Sequence, residues 1–135
     1  HNAQHEELRR RQAITRLDPK LNALAPLVLP GEGKSLDPRL WQGRNTRIIF
    51  VNNGCSGSCG DFDPGRYVAR SKDDGMDYVI VDSDCGLEKV VAAKRVASLR
   101  FVCDADGQLR RAYNVYWYPR EYSIDGKGVL RGISG

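Results

Sequence analysis

Long apolar runs, internal repeats and low-complexity tracts are all missing from this sequence of 135 residues. Its apolar stretches are short, such as Ile48–Val51, and none approaches the roughly 18–20 residues that a membrane-spanning helix needs. An initiating methionine is missing too, since the chain opens at His1, which leaves room for a removed signal peptide or membrane anchor. Hydrophobic residues make up 41% of the chain, enough for one compact domain with a core.

The sequence also lacks a strong excess of one charge, because 21 Lys and Arg are nearly balanced by 17 Asp and Glu, which gives a net charge of +4. The densest basic cluster is Arg9-Arg10-Arg11, followed by Arg16, and we interpret it as a solvated helix surface. No aromatic pattern of the kind that stacks on bases accompanies these arginines. Nucleic acid is therefore not predicted as a partner.

The first residues predict a helix over 6–17, because Ile14, Leu17 and Leu21 fall on one side at helical spacing. Pro19 limits how far this helix can run, since proline cannot continue it.

These boundaries predict two parts, an N-terminal helical arm or linker at 1–20 and a domain at 21–135. Prolines and glycines between residues 22 and 45 predict an extended, turn-rich approach with a short hairpin over 27–36.

The remainder alternates between strand and helix patterns. Strands are predicted at 47–52, 76–82, 99–102, 120–124 and 128–133, and helices at 66–70, 87–97 and 109–113. Such alternation is typical of a sheet with a parallel centre, and the last two strands would add an antiparallel hairpin at its edge.

Four cysteines carry the chemistry that the sequence offers. Cys55 and Cys59 follow the first predicted strand and precede a helix, where backbone N–H groups and the helix dipole can lower a thiol pKa. Three interpretations stay open for this pair: a reactive dithiol, a plain disulfide that closes a surface loop, and a metal site. Cys85 and Cys103 each follow a predicted strand, so they form a structural disulfide if those strand ends are neighbours, and otherwise two buried thiols.

A series of short motifs follows these elements in order. In the chain they are Ala25-Pro26, Cys55-Ser56-Gly57-Ser58-Cys59, Pro64, Cys103-Asp104-Ala105-Asp106-Gly107, Ala112-Tyr113-Asn114-Val115 and Tyr118-Pro119. With these motifs the chain resembles the thioredoxin-like superfamily, and it is most similar to the extracytoplasmic thiol-disulfide oxidoreductases related to TlpA and to the AhpC-TSA, peroxiredoxin-like group. The resemblance implies an α/β fold in which helices flank a central mixed sheet.

The same resemblance implies a function and a site. Cys55 and Cys59 would be the catalytic thiols that exchange disulfides with protein partners, with Cys55 attacking and Cys59 resolving. Trp117, Tyr118 and Pro119 would line the substrate groove, with a cis peptide before Pro119 that faces the cysteine loop. The expected location is extracytoplasmic, periplasmic or secreted, with a membrane anchor as an option, and no metal or other cofactor is expected.

Two departures keep alternatives open. Three residues separate Cys55 from Cys59, where the family usually has two, and Asn53-Gly54 replaces the family's usual tryptophan. A C-x-x-x-C motif also resembles the SCO-type copper chaperones, in which thiolates would bind Cu(I), although the distal histidine of that family has no counterpart in the C-terminal part of this chain. A third alternative is a non-catalytic interaction domain that keeps the fold and a fixed disulfide.

Overall fold

The computed structural model describes residues 2–26, 43–52, 64–82, 99–104 and 106–135. Several predictions lie outside these residues, namely the hairpin over 27–36, the helix over 87–97 and the placement of Cys55, Cys59 and Cys85.

The described residues build one five-stranded mixed sheet. Its strands are β1 (Thr46–Val51), β2 (Asp77–Asp82), β3 (Leu99–Cys103), β4 (Arg120–Ile124) and β5 (Leu130–Ser134). They lie side by side in the order β3-β2-β1-β4-β5. β1, β2 and β3 run parallel, and β4 pairs antiparallel with both β1 and β5. The predicted parallel centre and antiparallel hairpin are confirmed, and the strand bounds lie close to the predicted ones.

Among the described residues, three helices accompany the sheet: α1 (Asn2–Thr15), α2 (Pro64–Asp74) and α3 (Gln108–Ala112). α2 extends well beyond the predicted 66–70, and it begins at Pro64, a residue that suits the first turn because its missing N–H would have no helical partner there. Within the described parts of the chain, no helix is both long and apolar enough to cross a membrane.

The prediction for α1 was wrong at both ends. The helix begins at Asn2 and ends at Thr15, where the N–H of Leu17 donates to the carbonyl of Ile14 at 3.1 Å and closes a tight final turn. Leu17 and Leu21 lie beyond the helix and are 74% and 52% exposed, so they form no apolar stripe. Helical spacing predicted too long a helix here because the chain turns at Thr15. The conformation of the next residues is determined by tertiary contacts instead.

The core has two layers, one on each face of the sheet. One layer contains Ala25, Ile48, Phe50, Val79, Val81, Leu109, Tyr113, Val115, Tyr122, Ile124 and Leu130, and the other contains Ile49, Val51, Tyr67, Tyr78, Ile80 and Leu99. Successive strand residues point to opposite faces, so the continuous apolar runs of β1 and β2 supply both layers. Each large apolar side chain contributes roughly 1.5–3 kcal/mol by this burial.

A turn over 125–128 connects β4 and β5, the two strands that the sequence predicts as an antiparallel hairpin. The N–H of Gly128 donates to the carbonyl of Asp125 at 3.0 Å, and Gly128 adopts a φ of +83°, which glycine tolerates because it has no Cβ. The Asp125 carboxylate accepts from the N–H of Val129 and of Lys127 at 3.0 and 2.9 Å. The Val129 bond is the main cause that lowers the pKa of Asp125.

Candidate functional site at the sheet edge

The carboxyl ends of the three parallel strands meet at one edge of the sheet. Val51 pairs with Asp82, and Asp82 pairs with Cys103, so the three residues form one row across β1, β2 and β3. β4 runs the opposite way and begins at the same edge, since Arg120 pairs with Phe50. Pro119 therefore enters the sheet beside the end of β1.

The Tyr118–Pro119 peptide is cis, as predicted. Tyr116, Trp117 and Tyr118 are half-buried, whereas Pro119 is exposed. We call Tyr116–Tyr118 the aromatic segment. Whether the cis peptide faces the cysteine loop stays a prediction, because residues 53–63 lie outside the described parts of the chain.

Cys103, at the end of β3, is disulfide-bonded. The predicted condition for a bond with Cys85 is met, because β2 and β3 are neighbours and the N–H of Asp104 donates to the carbonyl of Asp82 at 2.9 Å. Cys85 itself lies outside the described residues, so the Cys85–Cys103 pairing stays a prediction.

Asp104 fixes the chain that leaves β3. Its buried carboxylate accepts from the N–H of Leu109 at 2.9 Å and from the N–H of Arg110 at 3.0 Å. These N–H groups belong to the first turn of α3, which has no carbonyl partners inside the helix. The carboxylate thereby anchors α3, and with it the buried Leu109, over one face of the sheet.

Arg120, the residue after the cis peptide, is a nearly fully buried cation with 3% exposure. Its guanidinium donates to both carboxylate oxygens of Asp18, at 2.7 and 2.8 Å. It also donates to the carbonyl of Asn114 at 3.0 Å and to the hydroxyl of Tyr122 at 3.1 Å. A buried charge needs this degree of compensation, because desolvation is costly unless the group is paired and hydrogen-bonded.

Aromatic rings enclose the same guanidinium. The Arg120 Cζ lies 4.9 Å from the ring centre of Tyr116, 5.3 Å from that of Trp117 and 5.5 Å from that of Tyr122. Arg11 of α1 contributes a second guanidinium 5.6 Å from the Trp117 ring. Cations at such distances are attracted by the ring faces, so two arginines hold Trp117, a predicted groove residue.

Asn114 joins the same site from the loop after α3. Its side-chain amide donates to the carbonyl of Ile14 at 2.9 Å and to the carboxylate of Asp18 at 2.8 Å. Its φ of +57° lies in the left-handed region, which asparagine tolerates better than most residues. The N-terminal arm is therefore fastened to the loop that leads into the aromatic segment.

The charges of this cluster stabilise one another. Burial raises the pKa of Asp18, but the hydrogen bonds from Arg120 and Asn114 outweigh it, so the pKa lies below its usual value. Burial lowers the pKa of Arg120, but the bonds to Asp18 more than reverse this, so the net pKa is raised. Both groups are therefore ionised at neutral pH.

Sequence reasoning missed Asp18, Asn114 and Arg120. One signal was available, because Arg120 is in phase with the apolar Tyr122 and Ile124 of the same strand and so lies on the core side. A charged residue in that position requires a partner, but nothing local to β4 indicates which residue that is. Among the described residues, no three His, Cys, Asp or Glu side chains cluster as a metal site would require.

Comparison with known proteins gives a clear answer only at the level of structure. No protein-family model and no curated protein matches the sequence. The structure, however, is similar to the thioredoxin domain of a thiol-disulfide oxidoreductase from Bacteroides vulgatus, with a TM-score of 0.61, 18% identity and coverage of 87% of this chain and 90% of that chain.

Two further solved structures are similar over comparable lengths. The exposed lipoprotein thioredoxin Etrx1 of Streptococcus pneumoniae has 20% identity and a TM-score of 0.55, over 81% of this chain and 87% of that one. Reduced Prx3 of Vibrio vulnificus has 12% identity and a TM-score of 0.62, over 86% of both chains. The fold is thioredoxin-like. The structural similarity confirms the predicted fold class. Because the sequence identities are low, the similarity shows the fold alone, and the function requires its own argument.

Proposed function

We propose that this thioredoxin-like protein is a thiol-disulfide oxidoreductase that exchanges disulfides with protein partners through Cys55 and Cys59. The observation that carries the proposal is the pairing of Phe50 with Arg120, which brings Pro119 to the edge where β1 ends. Cys55 follows Asn52 by three residues, so covalent geometry limits the distance between their Cα atoms to about 11 Å. This short reach supports a position for the first cysteine near the cis-proline edge.

The proposed reaction is a two-step exchange. The Cys55 thiolate attacks one sulfur of a partner disulfide, a Cys55–partner disulfide forms, and the partner's other sulfur leaves as a thiolate. The Cys59 thiolate then attacks the Cys55 sulfur, a Cys55–Cys59 disulfide forms, and the partner leaves with its second thiolate. Two electrons pass from the protein to the partner, and the reverse sequence oxidises a partner dithiol.

The aromatic segment and Pro119 supply the proposed contact surface for the partner chain. Pro119 is exposed, and Trp117 and Tyr118 are half-buried beside it, so all three retain surface that a polypeptide can cover. Aromatic side chains of this kind bury large areas on binding while losing little rotamer freedom.

An extracytoplasmic location fits this activity. Cys103 is disulfide-bonded, and structural disulfides persist mainly in oxidising compartments. One of the structurally similar proteins is named an exposed lipoprotein. We propose a periplasmic or secreted location.

Trapping of mixed disulfides tests the proposal. Cys59→Ser removes the resolving thiol, so partner proteins should accumulate on Cys55 and appear as adducts on non-reducing gels, identified by mass spectrometry. Cys55→Ser is the matched control and should trap few or none. The alkylation rate of Cys55 against pH should give a pKa below the usual value of about 8.5.

The two alternatives predict different outcomes. If no adducts form and the Cys55 pKa is ordinary, the oxidoreductase proposal is wrong, and the pair is either a fixed disulfide or the thiolates of a copper carrier. Competition for Cu(I) against a chromogenic chelator separates these two, because only a copper carrier would withdraw the ion from the chelator through both thiolates.

A further inference from the structure

We infer that Asp18 and Arg120 form a positioning pair, which docks the N-terminal arm on the loop before β4 and holds the aromatic segment in the conformation that meets a partner. The inference rests on the proposed disulfide exchange. It assigns a role in that exchange to residues 1–20, which the sequence predicts only as an arm or linker.

The first step is the environment of Arg120. Its side chain is 3% exposed, and its two terminal nitrogens donate to Asp18, to the carbonyl of Asn114 and to the hydroxyl of Tyr122, whereas its Nε has no partner among the described residues. Asp18 lies 102 residues away in sequence and is itself only 16% exposed. Among the described residues Asp18 is the one carboxylate within ion-pair distance of Arg120, so the arm supplies the counter-charge of a cation buried in the domain.

The second step is that one guanidinium holds both ends of the loop. Arg120 is bonded to Asn114 at the start of the loop and directly follows Pro119 at its end. Between these points its charge lies against the rings of Tyr116 and Trp117. Movement of the guanidinium therefore changes the position of the aromatic segment.

The third step is that the arm reaches the loop at two further points. The carbonyl of Ile14 accepts from the amide of Asn114, and Arg11 lies over the ring of Trp117. Both contacts depend on where α1 lies, and the Asp18–Arg120 ion pair fastens the residues just after α1. Loss of the Asp18 carboxylate should therefore loosen all three contacts together.

A second ion pair on the same strand provides a matched control. Glu121, the next residue, accepts from both terminal nitrogens of Arg70 at 3.0 and 2.6 Å. It points to the opposite face of the sheet and joins β4 to α2 rather than to the arm. Glu121→Gln therefore removes a bidentate carboxylate from β4 while leaving the arm and the aromatic segment in place.

The main experiment compares reaction rates. The reduced forms of the wild type and of D18N, R120K and E121Q are oxidised by a synthetic peptide disulfide and, separately, by oxidised glutathione. We expect kcat/KM for the peptide to fall at least tenfold in D18N and R120K, and less for glutathione, which covers less of the segment. R120K keeps the charge but loses the planar fork that binds Asp18 and stacks on the rings. E121Q should stay within twofold of the wild type with both disulfides.

Two rate outcomes would overturn the inference: D18N and R120K within twofold of the wild type for the peptide, or an equal fall in E121Q. All variants are compared at a temperature at which circular dichroism shows them to be folded. R120K keeps the test valid if D18N does not fold, because it leaves no uncompensated charge in the core.

A second readout does not depend on redox activity. In a Trp41→Phe background, Trp117 is the only tryptophan of the chain, so its fluorescence reports directly on the aromatic segment. D18N should raise iodide quenching of Trp117 at least twofold, and E121Q should not change it. If the wild type reacts with the peptide no faster than free cysteine, the proposed function fails, and unchanged quenching in D18N would then overturn the docking role separately.

Discussion

The two faces of β4 each carry an arginine–carboxylate pair, and the pairs differ in burial and in what they join. On one face Arg120 and Asp18 are 3% and 16% exposed, and they connect β4 to the N-terminal arm. On the other face Arg70 and Glu121 are 32% and 18% exposed, and they connect β4 to α2. Adjacent residues of one strand thus hold two different parts of the chain.

The surroundings of the two pairs explain why they should respond differently to mutation. Glu121 belongs to a network, since Arg47 also lies 3.7 Å from it and 3.7 Å from Asp74. Water and these neighbours can compensate for the loss of one partner. The Arg120 guanidinium is buried among rings, and among the described residues no carboxylate other than Asp18 lies within ion-pair distance to replace it.

The largest expected effect is on stability. Asp18→Asn should lower the free energy of unfolding by about 3 kcal/mol, because it leaves a buried cation without its counter-charge. Glu121→Gln should cost about 1 kcal/mol or less, as is usual for partly exposed pairs. Denaturant unfolding at neutral pH, followed by circular dichroism, measures both. Equal losses in the two variants would show that the two faces of β4 are equivalent after all.

A smaller effect is expected in alkali on the Glu121 side, where the Tyr78 hydroxyl donates to Asp74. Burial, and then this bond, raise the pKa of Tyr78 from 10.0 to about 12. The neutral tyrosine thus stabilises the fold below pH 10, and this contribution is lost as the pH rises through about 12. Between pH 10 and about 12, the unfolding free energy of Tyr78→Phe should therefore fall less steeply with pH than that of the wild type. The difference in slope should be about 1.4 kcal/mol per pH unit.

Unfolding titrations of Tyr78→Phe and the wild type at several alkaline pH values test this expectation. The same titration of Tyr122→Phe provides a comparison from the other face of the sheet. There the Tyr122 hydroxyl accepts from Arg120 and donates to the carbonyl of Tyr113. Identical slopes in wild type and Tyr78→Phe would mean that Tyr78 does not titrate differently in the folded protein.

The smallest effect is expected in acid on the Asp18 side. The pKa of Asp18 lies below the ordinary 3.8, so its contribution to stability is complete above that pH and disappears as the pH falls through the lower, folded-state value. Asp18→Asn should therefore make stability less dependent on pH below about 3.8. If the unfolding free energies of the wild type and D18N fell equally as the pH is lowered, the result would contradict the ion pair.

Much of the architecture could be predicted because its signals are local. The continuous apolar runs of β1 and β2 predict strands that are covered on both faces, and the Asp125-Gly126-Lys127-Gly128 sequence predicts the turn before β5. The cis peptide before Pro119 followed from resemblance to a family rather than from local physics.

The Asp18–Arg120 contact could not be predicted in the same way. It joins residues 102 apart, and helical spacing favours a continued helix through Leu17 rather than the turn that places Asp18 near β4. The in-phase position of Arg120 indicates a buried charge, but the identity of its partner depends on how the arm packs. Tertiary contacts of this kind override local propensity.

The most direct test of the proposed activity is the reduction potential of the Cys55–Cys59 pair, measured in glutathione redox buffers with alkylation and mass spectrometry of the peptides that contain both cysteines. The disulfide of Cys103, which we predict to be a structural bond with Cys85, provides an internal reference. Disulfide exchange predicts that Cys55–Cys59 lies above about −300 mV, in the range of catalytic pairs, while the Cys103 disulfide stays oxidised. A Cys55–Cys59 potential below about −300 mV would mark a fixed structural disulfide and contradict the account.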